Sequence, residues 1–140
     1  MSGMQWVQTG TGGAGWTDSS SSSFGAAVLA LSWAVARGAT NTVIVGTIPA
    51  NARIIGIFDA VSVVSNAATT ATVSVGLNGG SATAFSAAQD IKAAVGNFSQ
   101  AATAAWAPTP TQQVITSTYT ETGTASTTGT ANVTMLYCVL

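Results

Sequence analysis

Over several short stretches apolar and polar residues change places at nearly every step, the period that sends alternate side chains to opposite faces of a strand. In TATVSVGL, Ala71, Val73, Val75 and Leu77 point one way and Thr72, Ser74 and Gly76 the other, which predicts a half-buried strand. QVITSTYTE predicts a second, with Ile115, Ser117 and Tyr119 on one face and Val114, Thr116, Thr118 and Thr120 on the other. Threonine is β-branched and suits a pleated backbone, so a threonine-rich stretch reads as an uncharged strand surface. The final run, TANVTMLYCVL, sends Ala131, Val133, Met135, Tyr137 and Val139 to one side and Leu136, Cys138 and Leu140 to the other. Apolar groups on both faces predict a central strand covered on both sides.

Between the last two strands, GTASTTG from Gly123 to Gly129 supplies a turn. Earlier, TVIVGTI and ARIIGIFDAVSVV are β-rich runs separated by Pro49, Ala50 and Asn51. Proline presets a turn angle and asparagine tolerates the left-handed region, so this tripeptide reads as a hairpin connection. FSAAQDIKAAVG breaks the alternation. Ser86 followed by Gln89 resembles a capping box, Asp90 and Lys92 follow, and Gly96 could close the end, so one short helix is predicted there. From Phe24 to Ala36, Leu29, Leu31, Trp33 and Val35 alternate as a strand, although Phe24, Val28, Leu31 and Val35 also form a helical stripe; the strand is preferred. Residues 1–23 differ from the rest, with the glycines of TGTGGAG and five serines, Ser19 to Ser23, around Trp6 and Trp16. That composition predicts a flexible, extended N-terminal arm, followed by one domain over residues 24–140. The strand runs and their turn signals predict an all-β domain, an antiparallel β-sandwich of jelly-roll type.

Charge changes the picture. Only Asp18, Arg37, Arg53, Asp59, Asp90, Lys92 and Glu121 carry it, 5% of 140 residues, where soluble domains carry about 25%. A net charge of −1 and three scattered cations give no field for polyanions, so nucleic acid is not an expected partner. The most apolar piece, Phe24 to Ala36, is interrupted by Ser32 and falls short of the ~20 residues that cross a bilayer; no cationic region precedes it. The expectation is a soluble chain without an export signal and without a membrane partner. Cys138, the single cysteine, has no partner for an internal disulfide and reads as a small buried hydrophobe.

Catalytic chemistry has little to draw on. The chain has no histidine, which removes the commonest general base and metal ligand and any Ser-His-Asp triad. A carboxylate pair would have to come from Asp18, Asp59, Asp90 and Glu121, none in a recognisable setting. Gly10, Gly12 and Gly15 match a dinucleotide-binding spacing, but serines and β-rich sequence follow where that motif needs a helix. No enzyme activity and no cofactor are expected. The aromatic residues point elsewhere: large rigid rings supply much of the energy at interfaces. Trp6, Trp16 and Phe24 are candidate arm anchors, and Trp106, in the proline-flanked AAWAPTP, a candidate loop contact. Natural sandwiches guard exposed sheet edges with lysine, proline and charge, and this chain has one lysine. Its surface is therefore expected to be covered, by copies of itself in an obligate oligomer or by a larger assembly.

VIVGTIPANARIIGI (Val43 to Ile57), ATVSVGLNGGSATAFSAAQDIKAA (Ala71 to Ala94) and the ending NVTMLYCVL resemble small virion structural proteins of tailed bacteriophages, particularly capsid decoration or cement proteins. The shared features are a strand, a P-A-x-A turn, a second strand, then VSVG and an A-x-D element, over roughly residues 40–140. The resemblance implies a β-sandwich or jelly roll, commonly trimeric, bound on the capsid exterior over joints between copies of the major capsid protein. The alternative is a head-fibre or tail-associated adhesion module, with Trp106 and Tyr119 stacking on cell-surface glycans beside Gln112 and Gln113.

Overall fold

The computed structural model describes residues 27–37 and 40–140. Eight strands form two antiparallel four-stranded sheets: β1 (Val28–Ala34), β2 (Asn41–Ile48), β3 (Ala52–Val63), β4 (Thr70–Leu77), β5 (Ser86–Asp90), β6 (Gly96–Ser99), β7 (Gln113–Thr122) and β8 (Thr130–Val139). One sheet has the order β1-β8-β3-β6 and the other β2-β7-β4-β5. Successive strands alternate between sheets except where the chain stays near an edge, which is the jelly-roll arrangement. Trp6, Trp16, Phe24 and the arm expected over residues 1–23 lie outside the described residues.

The two inner faces make the core. Ile57, Val61, Val133 and Met135 of one sheet and Val73, Val75, Ile115 and Tyr119 of the other are all buried, with Phe85 from the β4–β5 connection between them. The inner faces that the period-two reading gave β4 and β7 are buried at Ala71, Val73 and Val75 and at Ile115, Ser117 and Tyr119, with Leu77 half-buried; Ser74, Gly76 and Thr116 on the opposite faces are buried as well. β8 is central, between β1 and β3, as its two-sided apolar pattern suggested. Its second face is only half covered, because Leu136 and Cys138 lie on the outside of the sandwich where no further layer packs among the described residues.

Two sequence readings are corrected. Pro49, Ala50 and Asn51 do make a turn, with the Ala52 amide donating to the Pro49 carbonyl at 3.3 Å and Asn51 in the left-handed region at φ 62°. It is not a hairpin: β2 pairs with β7 and β3 with β8 and β6, so the turn carries the chain across from one sheet to the other. Inward-facing residues on both sides, Ile48 and Ala52, can be buried by facing sheets as well as by paired strands, and local sequence does not separate the two. The helix expected over FSAAQDIKAAVG is absent as well; that stretch is β5, a bend and β6. The groups that suggested caps serve strands and bends instead. Ser86 Oγ accepts from the Val75 amide at 2.9 Å, and Asp90 Oδ1 accepts from the Lys92 and Ala93 amides at 2.7 and 3.2 Å. The only helical turn among the described residues is a single 3-10 turn, Ala104–Trp106.

Two bulges let the long strands keep apolar residues inside. In β3 the pairing slips between Ile54 and Gly56, leaving Ile55 as the extra residue. Even-numbered residues face the core before the slip and odd-numbered ones after it, so Ala52, Ile54, Ile57 and Val61 are all buried while Ile55 is exposed. β2 slips between Ile44 and Gly46, and Gly46 then turns inward under Leu31 of β1. This contact closes the core at the β1/β2 edge.

The β4–β5 connection folds back over the outer face of β4. A Cβ on Gly76 would stand 2.4 Å from the Ser81 carbonyl oxygen and 2.5 Å from Ala82 Cα, backbone that a side chain cannot push aside cheaply. Replacement Gly76→Ala is therefore expected to destabilise the fold by ~1–3 kcal/mol, the usual cost of overpacking, read as a lower denaturation midpoint in urea.

Candidate functional site

At the end of the sandwich where β1 and β3 begin, residues 102–108 stand off from β3 and leave a cleft of about 780 Å³. Its walls include Arg53, Ile54 and Ile55 of β3 and Thr103, Trp106 and Pro108 opposite. The wall is rigidly hung. The Trp106 indole N–H donates to the Phe85 carbonyl at 2.7 Å, and Thr103 Oγ1 donates to the Ala84 carbonyl at 2.8 Å, so this segment is pinned to the β4–β5 connection. The Asn51 amide donates to the Thr109 carbonyl at 2.7 Å and ties it to the turn between the sheets. Trp106 is thus half-buried, bound by its polar edge to its own domain, while its ring contributes to the cleft.

The two outer faces of the sandwich differ in chemistry. On the β2-β7-β4-β5 sheet, Thr116, Thr118, Thr120 and Thr122 of β7 face outward; Thr118 lies between Thr42 and Ser74, Thr120 and Thr122 beside Thr72 and Thr70, and Thr116 between Ile44 and Gly76. Thr42 and Thr118 are hydrogen-bonded at 2.8 Å and Thr70 and Thr122 at 2.7 Å, so hydroxyls satisfy one another without charge; cross-strand pairs of this kind contribute ~0.2–1 kcal/mol each. On the other sheet the outer face is more apolar. Val28, Cys138 and Arg53 form one row across β1, β8 and β3, and Ala30, Leu136 and Gly56 the next, with Ile55 beside them. Val28 is 61% exposed, Ile55 48% and Phe58 43%. This face and the cleft at its end form a continuous uncovered apolar surface; on the opposite face Ile44 of β2 is also exposed.

Tyr119, expected as a possible stacking platform for sugars, cannot act as one, because it is 1% exposed. Its hydroxyl donates to Glu121 Oε1 at 3.0 Å and lies 3.1 Å from Ser126 Oγ. Burial of that carboxyl disfavours its charge, but the Ser126 amide at 2.9 Å, the two hydroxyls and nearby Arg37 outweigh it, and the Glu121 pKa is lowered. Arg37 Nη1 also donates to the Ser126 carbonyl at 3.2 Å, so one cation serves both charge and loop. Asp59 has the opposite balance. It faces the interior beside Val133 and is 1% exposed; burial raises its pKa, and the hydrogen bond from Gln100 only partly offsets this. Gln100 also reaches Gln89 of β5 at 3.4 Å, which links the two sheets through amides. Alternation did not single out Gln89 or Gln100, and Arg53 read as one more isolated charge; only the topology brings each beside its partners.

No group of three or more His, Cys, Asp or Glu side chains that could hold a metal occurs among the described residues, and no helix among them is long and apolar enough to cross a membrane. The described acids stand apart, each engaged separately. No protein-family model and no curated protein matches this chain. Solved structures do. A chain of the acid-stable capsid of Helicobacter pylori bacteriophage KHP30 superposes with a TM-score of 0.64 at 13% identity, over 80% of this chain and 87% of that one. A chain of the cyanophage Pam1 capsid asymmetric unit gives 0.62 at 20% identity over 100% of both, and one of the Ralstonia phage GP4 capsid 0.57 at 17%, over 81% and 84%. The fold is therefore one found in phage capsids.

The two acids predict opposite responses to pH. Asp59 titrates above its ordinary 3.8 in the folded state, so the fold loses stability as pH rises through that window. Asp59→Asn should raise the melting temperature at pH 7 by a few degrees, the gain vanishing below about pH 3.8. Glu121 titrates below its ordinary 4.5, so its contribution is present at neutral pH and fades as pH falls through that value. Glu121→Gln should lower the melting temperature at pH 7 and matter progressively less in acid, which calorimetry over a pH series will check.

Proposed function

We propose that this chain is a non-enzymatic virion structural protein, a decoration or cement protein that lies on the exterior of a phage head over joints between copies of the major capsid protein. The observation that carries the reading is the jelly roll itself, whose course matches chains of three phage capsids, end to end in the cyanophage case. The surface supports it independently. A chain with 5% charged residues, whose domain has an apolar outer face and one uncharged edge at β1 and β2, is suited to permanent contact with neighbours. Repetition around a shell multiplies modest contacts into avidity, so each copy need bind only weakly to brace the particle against internal pressure. We infer a homotrimer as the attached unit, with the N-terminal segment reaching the capsid and Trp6 its farthest aromatic anchor. The glycan-adhesion alternative keeps only Trp106 of its two aromatic platforms, since Tyr119 is enclosed.

Particles stripped of the protein and then exposed to it again should rebind it saturably and release their DNA at a higher temperature than stripped particles. The variant lacking residues 1–23 should fail to rebind. Recovery of the chain in the tail fraction, or stripped heads of unchanged heat resistance, would refute the assignment. Light scattering of the free protein should give a mass about three times 13.8 kDa; a stable monomer at micromolar concentration contradicts the oligomer.

A further inference from the structure

The cleft beside Trp106 has one cation on its rim, Arg53, and that cation has no counter-charge among the described residues. No described residue pairs with the Arg53 guanidinium. The described acids are committed elsewhere: Asp59 to Gln100, Asp90 to the Lys92 and Ala93 amides, Glu121 to Ser126 and Tyr119. The fourth acidic side chain of the sequence, Asp18, lies in the segment ahead of β1, two residues beyond Trp16. In an extended segment, residues two apart share a face about 7 Å apart. If extended, Trp16 and Asp18 would offer a ring and a carboxylate on one face, and the cleft presents an apolar wall and a guanidinium together.

Position and reach agree with charge. The segment enters the domain at Val28, which shares its row with Cys138 and Arg53, two strand spacings or about 10 Å away. The eleven residue-to-residue steps from Trp16 to Ala27 can span at most about 36–40 Å when extended. The cleft volume of about 780 Å³ is in the range that encloses a ligand much larger than an indole. Neither of the segment's other rings has an acid so close: Trp6 is twelve residues from Asp18, and Phe24 is six.

We propose that the cleft takes Trp16 to Asp18 of its own chain, the indole against Trp106 and Ile55 and the Asp18 carboxylate on Arg53. Tethering supplies a high effective concentration, so a contact that would be weak between separate molecules holds here. The docked segment covers part of the apolar face around Val28 and Ile55 and leaves Trp6 and its neighbours to reach another body. This contact does not depend on the virion reading, and its failure would leave that reading intact.

Chymotrypsin cleaves after tryptophan, so the intact chain carries its own control in Trp6. Against a synthetic peptide of residues 1–26, cleavage after Trp16 should be slowed at least ~10-fold in the intact chain while cleavage after Trp6 stays close to the peptide's rate. Arg53→Gln and Asp18→Asn should each restore fast cleavage after Trp16, with circular dichroism unchanged. Peptide-like cleavage after Trp16 in the unaltered chain, or protection that neither substitution relieves, overturns the proposal.

Discussion

The contact between the inner faces of the two sheets is what the rest of the molecule depends on. Ile57, Val133 and Met135 on one side and Val73, Val75 and Ile115 on the other are all but excluded from water, and neither sheet could bury its apolar face alone. With so few ions in the chain, directional attraction between charges cannot set the arrangement. It comes from apolar burial, and several buried polar groups are then matched by neutral partners, Ser86 Oγ with the Val75 amide, Asp59 with Gln100, the Trp106 indole with the Phe85 carbonyl, while the Trp33 indole N–H and Glu121 Oε2 have none among the described residues. Each of these bonds joins segments far apart in sequence that the closed core has already brought together.

Closure of the core also makes the two lateral edges unequal. β5 and β6 at one edge have five and four residues and sit beside Asp90 and Lys92. β1 and β2 at the other have seven and eight, with no charge and no proline. Short strands and charges are how a sheet discourages other chains from pairing with it, and only one edge is defended in this way. The faces repeat the inequality: threonine hydroxyls bond one another over one sheet, while Val28, Ile55 and Phe58 stand in solvent on the other. A surface graded in this manner has a natural side for assembly, which is the property a shell component uses.

The two ends of the sandwich differ as well. At one, Asn66 holds the Thr127 and Thr128 amides at 2.8 and 3.0 Å while Arg37, Tyr119, Glu121 and Ser126 bind one another, so the loops are cross-linked by polar contacts. At the other, the turn at Asn51 is joined to the Trp106 segment through the Asn51 amide and the Thr109 carbonyl, yet a cleft remains between residues 102–108 and β3, with Arg53, unpaired among the described residues, on its rim. The end that keeps a cleft is the one with room for recognition.

Period-two alternation by itself determined the faces of β4 and β7, the central place of β8 and the all-β class, because a strand's inside and outside are set by local geometry that each residue carries with it. The resemblance of residues 40–140 to small virion proteins pointed to the same fold. Three things lay beyond local pattern. The turn at Pro49 was legible, but whether it joined partners or crossed between sheets depended on β7 and β8, some 60 to 90 residues further on. Ser86 and Gln89 match a helix cap in spacing, yet Ser86 was claimed by Val75 once β5 lay beside β4. The apolar run of β3 hid a change of phase at Ile55, which appears only when the partner strand fixes the register. Strand pairing is a contact between distant parts of the chain, so the sequence determined which residues would be buried, and the tertiary structure decided against which neighbours.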